Sequence, residues 1–221
     1  NLDLTLPSGS IMGLVGENGA GKSTTIRLIL NMIRRDSGTI TILGKDNRGE
    51  MKMTKEDIGV VLDEVGLPEC LTAQQVGNVM KHTFRNWDDA EYAQLLKKLA
   101  LPEQKRFKAF SRGMKMKLGI AIAMSHNSKL LILDEPTALL TPQESDKLFD
   151  VIRRLKEQGK SVIFITHKLG EVYQIADRMT IMRAGQMIAT TTPQETTEKE
   201  LAELMVGKSL QHEHRPERAP S

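Results

Sequence analysis

Gly16-Glu17-Asn18-Gly19-Ala20-Gly21-Lys22-Ser23 is the stretch that decides the fold of this chain. It fits the pattern G-x-x-x-x-G-K-[ST], which binds phosphate when it lies between a strand and a helix. The apolar run Ile11–Val15 precedes it and predicts a buried strand, and helical periodicity follows over residues 24–33. A glycine-rich turn before an ordinary helix is the alternative, but both flanks favour a phosphate-binding loop.

Residues 16–24 have the chemistry that a chain of phosphates requires. Glycines let the backbone curl so that successive N–H groups point inward, and the positive end of the following helix adds to the attraction. We expect the Lys22 ammonium to reach the β- and γ-phosphates and the Ser23 hydroxyl to bind Mg²⁺. The predicted nucleotide-binding residues of this loop are Gly16, Glu17, Asn18, Gly19, Ala20, Gly21, Lys22, Ser23 and Thr24.

Two carboxylates follow a second apolar run, residues 130–133, which predicts another buried strand. Asp134 and Glu135 then lie at the C-terminal tip of that strand, where α/β sheets bind ligands. We expect Asp134 to hold Mg²⁺ through water and Glu135 to orient or deprotonate the attacking water. A strand that ends in solvated acids is the alternative, and the phosphate loop upstream makes it the weaker one.

Two further positions have less specific signals. His167 follows the predicted strand at residues 162–166, where an imidazole is able to contact the γ-phosphate, although a surface histidine is the simpler interpretation of this residue alone. Ser111, within residues 110–114, precedes a predicted helix and either caps it or leaves its N-terminus open to an anion. The residues themselves leave both alternatives open.

The composition restricts the class of protein. The chain has 221 residues, a net charge of +3 and one cysteine, Cys70. This length fits one large domain or a core with a subdomain, the near balance of charge gives no reason to expect a nucleic acid partner, and one cysteine excludes an internal disulfide. No apolar run approaches the roughly 20 residues of a membrane span, and no signal peptide is visible. We therefore predict a soluble cytoplasmic domain, which is still able to lie against a membrane protein.

Hydrophobic periodicity and capping signals divide the chain into strands and helices. Thr72 with Gln75, and Thr141 with Glu144, fit capping boxes at the starts of helices. Strands are predicted at residues 2–6, 39–43, 58–62, 130–133, 161–165, 179–183 and 186–190. Helices are predicted at 72–84, 88–99, 111–124, 142–158 and 197–206, and a further short helix follows the strand at 161–165 and ends at residue 176. We predict an α/β core at residues 1–64 and 128–210, a helical insert at 65–127, an exposed loop at 46–57 and a disordered tail at 211–221.

Together, these motifs resemble the nucleotide-binding domain of an ABC transporter. Residues 16–23 match the Walker A motif, residues 130–135 match Walker B, residues 110–114 match the signature loosely, and His167 matches the switch histidine. Their order and spacing cover nearly the whole chain. The resemblance implies a P-loop NTPase core with a mainly parallel central sheet, an antiparallel β subdomain and the helical insert that contains the signature.

The resemblance also implies a function and its partners. It implies a subunit that binds ATP and Mg²⁺, pairs head to tail with a second ATP-binding subunit as a homo- or heterodimer, and hydrolyses ATP to drive a membrane permease. Glu135 and His167 would then be catalytic, and Ser111 and Gly113 would face the ATP held by the other protomer. The permease would dock from Asp63 through the helical insert, which places the subunit on the cytoplasmic face of the cell membrane.

The chain departs from the family pattern at four places. Asp63 stands where the family has Gln, and it is still able to bind Mg²⁺ beside Ser23 and Asp134, but an ionised Asp donates no hydrogen bond. Arg112 and Met114 replace Gly and Gln in the signature, and Thr141 takes the position of the usual Asp in the D-loop. The aromatic that stacks on adenine would lie before residue 1, so we expect weaker nucleotide affinity from this chain.

The departures also differ between the two parts of the chain. Residues 1–135 resemble the ATPases of antibiotic or multidrug exporters, and residues 137–210 resemble those of sugar and nucleoside importers. This difference predicts a chimera joined in or near the Walker B strand.

Two other functions fit the same motifs. A soluble ABC ATPase that acts on nucleic acid or ribosomes usually has coiled-coil insertions or two such domains, and neither is visible. A nucleotide-binding module with little turnover is favoured slightly by Asp63, Met114 and Thr141, whereas Glu135 and His167 argue for retained chemistry.

Overall fold

The computed structural model describes residues 2–49, 55–62 and 65–207. Its centre is a six-stranded sheet in the order β4-β5-β6-β1-β7-β8, in which β8 alone runs antiparallel to its neighbour. The strands are β1 Ile11–Val15, β4 Ile58–Val61, β5 Leu130–Asp134, β6 Ser161–Thr166, β7 Arg178–Arg183 and β8 Gln186–Thr191, and a separate two-stranded sheet pairs β2 Thr41–Ile42 with β3 Lys45–Asp46. The mainly parallel α/β sheet expected from the sequence is confirmed.

Seven helices in the described residues surround this sheet. They are α1 Lys22–Ile29, α2 Ala73–Thr83, α3 Asp89–Lys98, α4 Arg112–Ser125, α5 Pro142–Glu157, α6 Leu169–Ile175 and α7 Glu198–Val206. Capping side chains define where several of them begin, since Thr72, Thr141 and Thr197 each form a complete capping box. The capping boxes predicted at Thr72 and Thr141 are therefore confirmed.

Strand pairing brings three strand ends to one edge of the sheet. β1 pairs in parallel with β6, with Val15 opposite Thr166, and β6 pairs in parallel with β5, with Ile165 opposite Asp134. All five residues of β1 and all six of β6 are buried, as strands covered on both faces require. The loop after β1, the end of β5 and the residue after β6 are thus neighbours.

The region between β4 and β5 contains α2, α3 and α4. Helix α4 packs closely on β4, because a Cβ added at Gly59 would collide with the Ala123 carbonyl. Buried side chains of α3, α4 and the sheet, among them Leu96, Leu118 and Leu131, form one continuous apolar cluster. These helices agree with the predicted elements, and the division into a core and a separate insert stays a prediction.

Three sequence-based expectations need correction. Residues 2–6 form no strand; Leu4 and Leu6 instead pack, partly buried, on the apolar cluster around Ile26. The strand predicted at residues 39–43 is limited to Thr41–Ile42, because Leu43 and Gly44 adopt positive φ values of 51° and 82° and turn the chain into β3. The proposed exposed loop at 46–57 likewise begins inside β3 and ends in a 3₁₀ helix, Lys55–Asp57.

Some expectations fall outside the described residues. These are the metal-binding role of Asp63 and the disordered tail at residues 211–221. In the part of the chain that the structure describes, no helix is both long and apolar enough to cross a membrane.

Candidate functional site

The predicted phosphate loop connects β1 to α1, and its glycines have specific steric roles. Gly21 is the N-cap of α1 with a left-handed φ of 101°, which other residues rarely adopt. Gly16 has no room for a side chain, because an added Cβ would collide with the carbonyl oxygen of Met182 in β7. Ala20 accepts a hydrogen bond of 3.0 Å from the backbone N–H of Gly185, so the β7–β8 turn supports the loop from behind.

Lys22 lies inside the curve of this loop. Its side chain is buried, and Nζ donates hydrogen bonds to the carbonyl oxygens of Gly16 at 2.6 Å and Glu17 at 3.1 Å. Burial lowers the pKa of the Lys22 ammonium, and the nearby carboxylates of Glu135 and Asp134 oppose this effect. The loop therefore holds a cation where the negative charge of a phosphate chain would lie.

Ser23 and Asp134 supply two oxygens that suit a magnesium ion. The Ser23 hydroxyl donates to Oδ2 of Asp134 at 3.2 Å, and Asp134 is 7 % exposed. Mg²⁺ binds through one or two protein oxygens, with water and phosphate completing the shell, so this pair fits it. A cluster of three or more His, Cys, Asp or Glu side chains able to hold a metal is absent from the described residues.

Glu135 and His167 meet above the ends of β5 and β6. Nδ1 of His167 lies 3.0 Å from both carboxylate oxygens of Glu135. The backbone of Glu135 has a φ of +47°, a conformation that non-glycine residues rarely adopt, and its N–H donates to the Ile165 carbonyl at 3.0 Å. The strained backbone is held by the adjacent strand, which is typical of functional residues.

Ser111 and Gly113 begin α4, away from the phosphate loop in the sequence. Ser111 accepts a hydrogen bond from the Met114 N–H at 3.2 Å and is the N-cap of the helix, so the capping role left open by the sequence is present. A Cβ added at Gly113 would lie 2.8 Å from the carbonyl oxygen of Leu139. Gly113 thus lies against Leu139 in the D-loop segment, residues 138–141, of the same chain, and the contact of Ser111 and Gly113 with nucleotide stays a prediction.

Thr141, the departure in the D-loop, has a clear local role. It is the N-cap of α5, and its backbone N–H and hydroxyl donate to Oε2 of Glu144 at 3.0 and 3.3 Å. Oε1 of Glu144 also accepts a 2.8 Å bond from the buried Lys117 of α4. These bonds, first that from Lys117 and then that from the Thr141 backbone, lower the pKa of Glu144. Thr therefore does the capping work that Asp would do at this position.

Several polar residues near Glu135 and His167 were missed by sequence reasoning. They are Thr137, Thr166, Lys168 and Glu171, which form one hydrogen-bonded group. Glu171 lies on α6 and Thr137 lies 34 positions away, so no local spacing connects them. For Lys117 the sequence offered a usable signal. This lysine directly precedes the apolar run at residues 118–124 of α4, and a charge buried together with such a run requires a partner.

The structure brings together most of the predicted site. Gly16, Ala20 and Lys22 are buried. Glu17, Asn18, Gly19, Ser23 and Thr24 form the exposed rim of the loop. Asp134, Glu135 and His167 lie at the neighbouring strand ends.

The ABC transporter family model matches residues 1–138. The chain belongs to the ABC transporter family. The chain therefore contains an ABC nucleotide-binding domain, and its fold is that of a P-loop NTPase.

Relatives and a solved structure agree with this family. The chain is 35 % identical over 98 % of its length to the ribose import ATP-binding protein RbsA of Caldanaerobacter subterraneus subsp. tengcongensis. It is 36 % identical over 95 % of its length to the galactose/methyl galactoside import ATP-binding protein MglA 1 of Photobacterium profundum. It spans about half of these relatives, 46 % and 45 %. A solved ATP-binding subunit of an ABC transporter covers 91 % of this chain, and the match covers 90 % of that chain, at 26 % identity and a TM-score of 0.83.

Both relatives align across residues 130–137, where the sequence predicts a junction between two family types. Sugar-importer relatives thus account for both parts of the chain. Two separate origins are not needed to explain these alignments, and the chimera stays a prediction.

Proposed function

We propose that this chain is an ATP-binding and ATP-hydrolysing subunit that powers an ABC transporter. The observation that carries the proposal is the convergence of three strand ends on one site. The loop after β1 leads into Lys22 at the start of α1. β5 ends at Asp134 with Glu135 directly after it, and His167 follows β6. A cation, a metal-binding pair and a candidate base then surround one position, as phosphoryl transfer requires.

In this function, residues 16–24 bind the phosphates. Backbone N–H groups of the loop and the N-terminal end of α1 attract the negative charge, and Lys22 exchanges its bonds to the loop carbonyls for bonds to phosphate oxygens. Ser23 and Asp134 are the described residues that would hold Mg²⁺. The ion supplies charge neutralisation at the phosphate oxygens.

Hydrolysis then depends on Glu135 and His167. Glu135 orients a water molecule and accepts its proton while the water oxygen bonds to the γ-phosphorus and the bond from that phosphorus to the bridging oxygen breaks, which releases ADP and phosphate. His167 contacts the γ-phosphate on one side and the Glu135 carboxylate on the other. It therefore places the base relative to the reacting phosphorus.

The partners are a second ATP-binding subunit and a membrane permease. Ser111 and Gly113 would complete the site on the second subunit, whether that subunit is identical or different. Permease docking is supported by an apolar groove beside β4 and α4, close to the region that the family resemblance indicates. Its lining includes Val60, Leu62, Val65, Leu67, Met80 and Ile122. With this groove occupied, the subunit lies on the cytoplasmic face of the membrane.

The first test compares ATP turnover by the unmodified chain and by Glu135→Gln. We expect steady hydrolysis by the unmodified chain, a loss of roughly 100-fold or more in kcat in the variant, and retained ATP binding. Tight ATP binding without any turnover by the unmodified chain would instead identify a nucleotide-binding module.

The second test concerns assembly. Glu135→Gln is expected to become dimeric in size-exclusion chromatography when Mg-ATP is added and to stay monomeric without it. A variant that binds ATP and remains monomeric would contradict the head-to-tail dimer.

A third test addresses the permease. A photo-crosslinking amino acid at Met80 in living cells should join the chain to an integral membrane protein, identified by mass spectrometry. The same amino acid at the exposed Gln186 is the matched control. Equal crosslinking from both positions would contradict docking at the groove.

A further inference from the structure

A largely covered carboxylate connects the two segments that carry Glu135 and His167. Oε2 of Glu171, on α6, accepts hydrogen bonds from the hydroxyls of Thr137 at 2.5 Å and Thr166 at 3.1 Å. Both threonines have no exposed surface, and the Glu171 side chain is 13 % exposed. Hydrogen bonds to a charged acceptor in such a protected place are the strong ones.

Lys168 completes this group. Its Nζ lies 3.1 Å from Oε1 of Glu171 and donates to the Thr137 carbonyl oxygen at 3.0 Å, while its backbone N–H donates to the Thr166 hydroxyl at 3.1 Å. The four residues Thr137, Thr166, Lys168 and Glu171, here called the brace, therefore form a closed network. Each of the four residues makes at least two polar contacts with other members of the brace.

The brace has a defined place relative to the catalytic pair. Thr137 lies two positions after Glu135, and Thr166 and Lys168 lie on either side of His167. No member of the brace belongs to the phosphate loop. The brace thus joins the segment that carries Glu135 to the segment that carries His167.

Helix α6 gives the brace a fixed support. Val172, next to Glu171, is fully buried, and a Cβ added at Gly13 of β1 would lie 2.5 Å from Cγ1 of Val172. The helix is therefore packed against the central strand that leads into the phosphate loop. Through this packing, the Glu171 carboxylate has a set position relative to the whole site.

We propose that Glu171 is a positioning residue that sets the separation of Glu135 and His167, and so acts on the hydrolytic step and not on nucleotide binding. The proposal rests on the proposed function. Without the carboxylate, Thr137 and Thr166 lose their common acceptor. The two catalytic segments then keep strand pairing, the bond from Lys168 to the Thr137 carbonyl oxygen and the contact between Glu135 and His167 themselves. A displacement of about 1 Å between reacting groups is enough to reduce a rate about 100-fold.

The test measures kcat and KM for ATP in Glu171→Ala, with Glu157→Ala as the control. Glu157 is an exposed glutamate at the end of α5, so its removal changes the net charge equally. We expect kcat to fall about 10- to 100-fold in Glu171→Ala with KM unchanged, and neither constant to change in the control. Binding of a fluorescent ATP analogue should be equal in all three proteins.

Isosteric variants separate positioning from folding. Thr137→Val removes the hydroxyl but keeps the shape, and should reproduce the loss in kcat; Thr137→Ser keeps the hydroxyl and should restore most of it. Glu171→Gln, which keeps the volume and one acceptor oxygen, should lose less than Glu171→Ala. Should Glu171→Ala fail to fold, as judged by circular dichroism, the Thr137 pair and Glu171→Gln decide the question.

The outcomes distinguish this inference from the proposed function. The positioning role is overturned if folded Glu171→Ala has the same kcat as the unmodified chain, or if Thr137→Val and Thr137→Ser are equally active. The proposed function stands in both cases. A parallel rise in KM would assign Glu171 to nucleotide binding and also overturn the inference. No turnover by the unmodified chain overturns the proposed function, and the role of Glu171 in turnover with it.

Discussion

The imidazole of His167 faces the carboxylate of Glu135 symmetrically, with Nδ1 3.0 Å from each of the two oxygens. His167 is half exposed, whereas Glu135 is largely covered, with 19 % of its side chain exposed. The histidine therefore connects the more enclosed base to the open side of the site. We expect the two residues to act as one functional unit.

We expect His167→Ala to reduce kcat for ATP hydrolysis by roughly 100-fold, because the base loses the group that orients it. The double variant Glu135→Gln/His167→Ala should be no slower than Glu135→Gln alone, as residues that act as a unit are not additive. Steady-state phosphate release measures both. His82→Ala, at an exposed position of α2, is the control. If the loss in kcat of the double variant equals the product of the two single losses, Glu135 and His167 act independently and the prediction is wrong.

Lys22→Met should weaken ATP binding without unfolding the domain. Charge-assisted hydrogen bonds are worth about 1.5–3 kcal/mol, so we expect the Kd to rise roughly 10- to 100-fold. Isothermal titration calorimetry measures the change. Lys147→Met, which removes an exposed lysine from α5, should bind like the unmodified chain. An unchanged Kd in Lys22→Met would show that the backbone of the loop alone binds the nucleotide.

Gly113→Ala should destabilise the contact between the signature and the D-loop. The added Cβ would lie 2.8 Å from the Leu139 carbonyl oxygen, so one of the two segments has to shift. Overpacking of this kind costs about 1–3 kcal/mol. Thermal unfolding should show a lower Tm, whereas Gly49→Ala, which meets no neighbouring atom, should leave Tm unchanged. Equal Tm values in the two variants would show that the contact adapts freely.

His126 should make stability depend on pH. His126 is 2 % exposed, and its ring stacks on that of Phe84 with 4.1 Å between the ring centroids. Burial lowers the pKa of His126, and nearby Lys160 lowers it slightly further. The hydrogen bond to the Glu56 carbonyl partly opposes this shift of the pKa. The native state thus excludes a proton that the unfolded chain accepts, so stability is complete above a pH of about 6.5 and is lost as the pH falls towards the lowered pKa.

The variant His126→Phe keeps the stacking and removes this titration. We expect it to be less stable by about 1 kcal/mol at neutral pH, since the Glu56 carbonyl loses its donor. Its stability should then decrease less than that of the unmodified chain between about pH 7.5 and about pH 5.5 in urea unfolding. Identical pH profiles of the two proteins would assign the dependence to other groups.

Local signals in the sequence predicted much of the fold and the centre of the site. These signals depend on neighbours within a few positions. They are the phosphate loop, the carboxylates at the end of β5, and the capping residues Thr72 and Thr141, and the structure places each of them where the sequence predicts. The wrong first strand has the same origin. Alternation over residues 2–6 indicates a half-buried segment, but a strand also requires a partner, which local pattern does not reveal.

Contacts between distant segments were not predictable. Nothing in the sequence shows that β1 lies between β6 and β7, or that Glu171 meets Thr137. Such contacts follow from the packing of α6 on the sheet, which depends on many small contacts between side chains that are distant in the sequence. The sequence therefore predicted candidate reactive residues, and the structure adds the contacts that these residues and their neighbours make.

The position of β4 at the edge of the six-stranded sheet has an evolutionary consequence. The chain leaves the sheet after β4, forms α2, α3 and α4, and returns in β5, while the reactive groups sit on the β5–β6–β1 ladder. Much of this excursion is free to change in length and surface without altering the spacing of that ladder. On this plan we expect substitutions on the exposed faces of α2 and α3 to change a docking surface before they change the spacing of the candidate site.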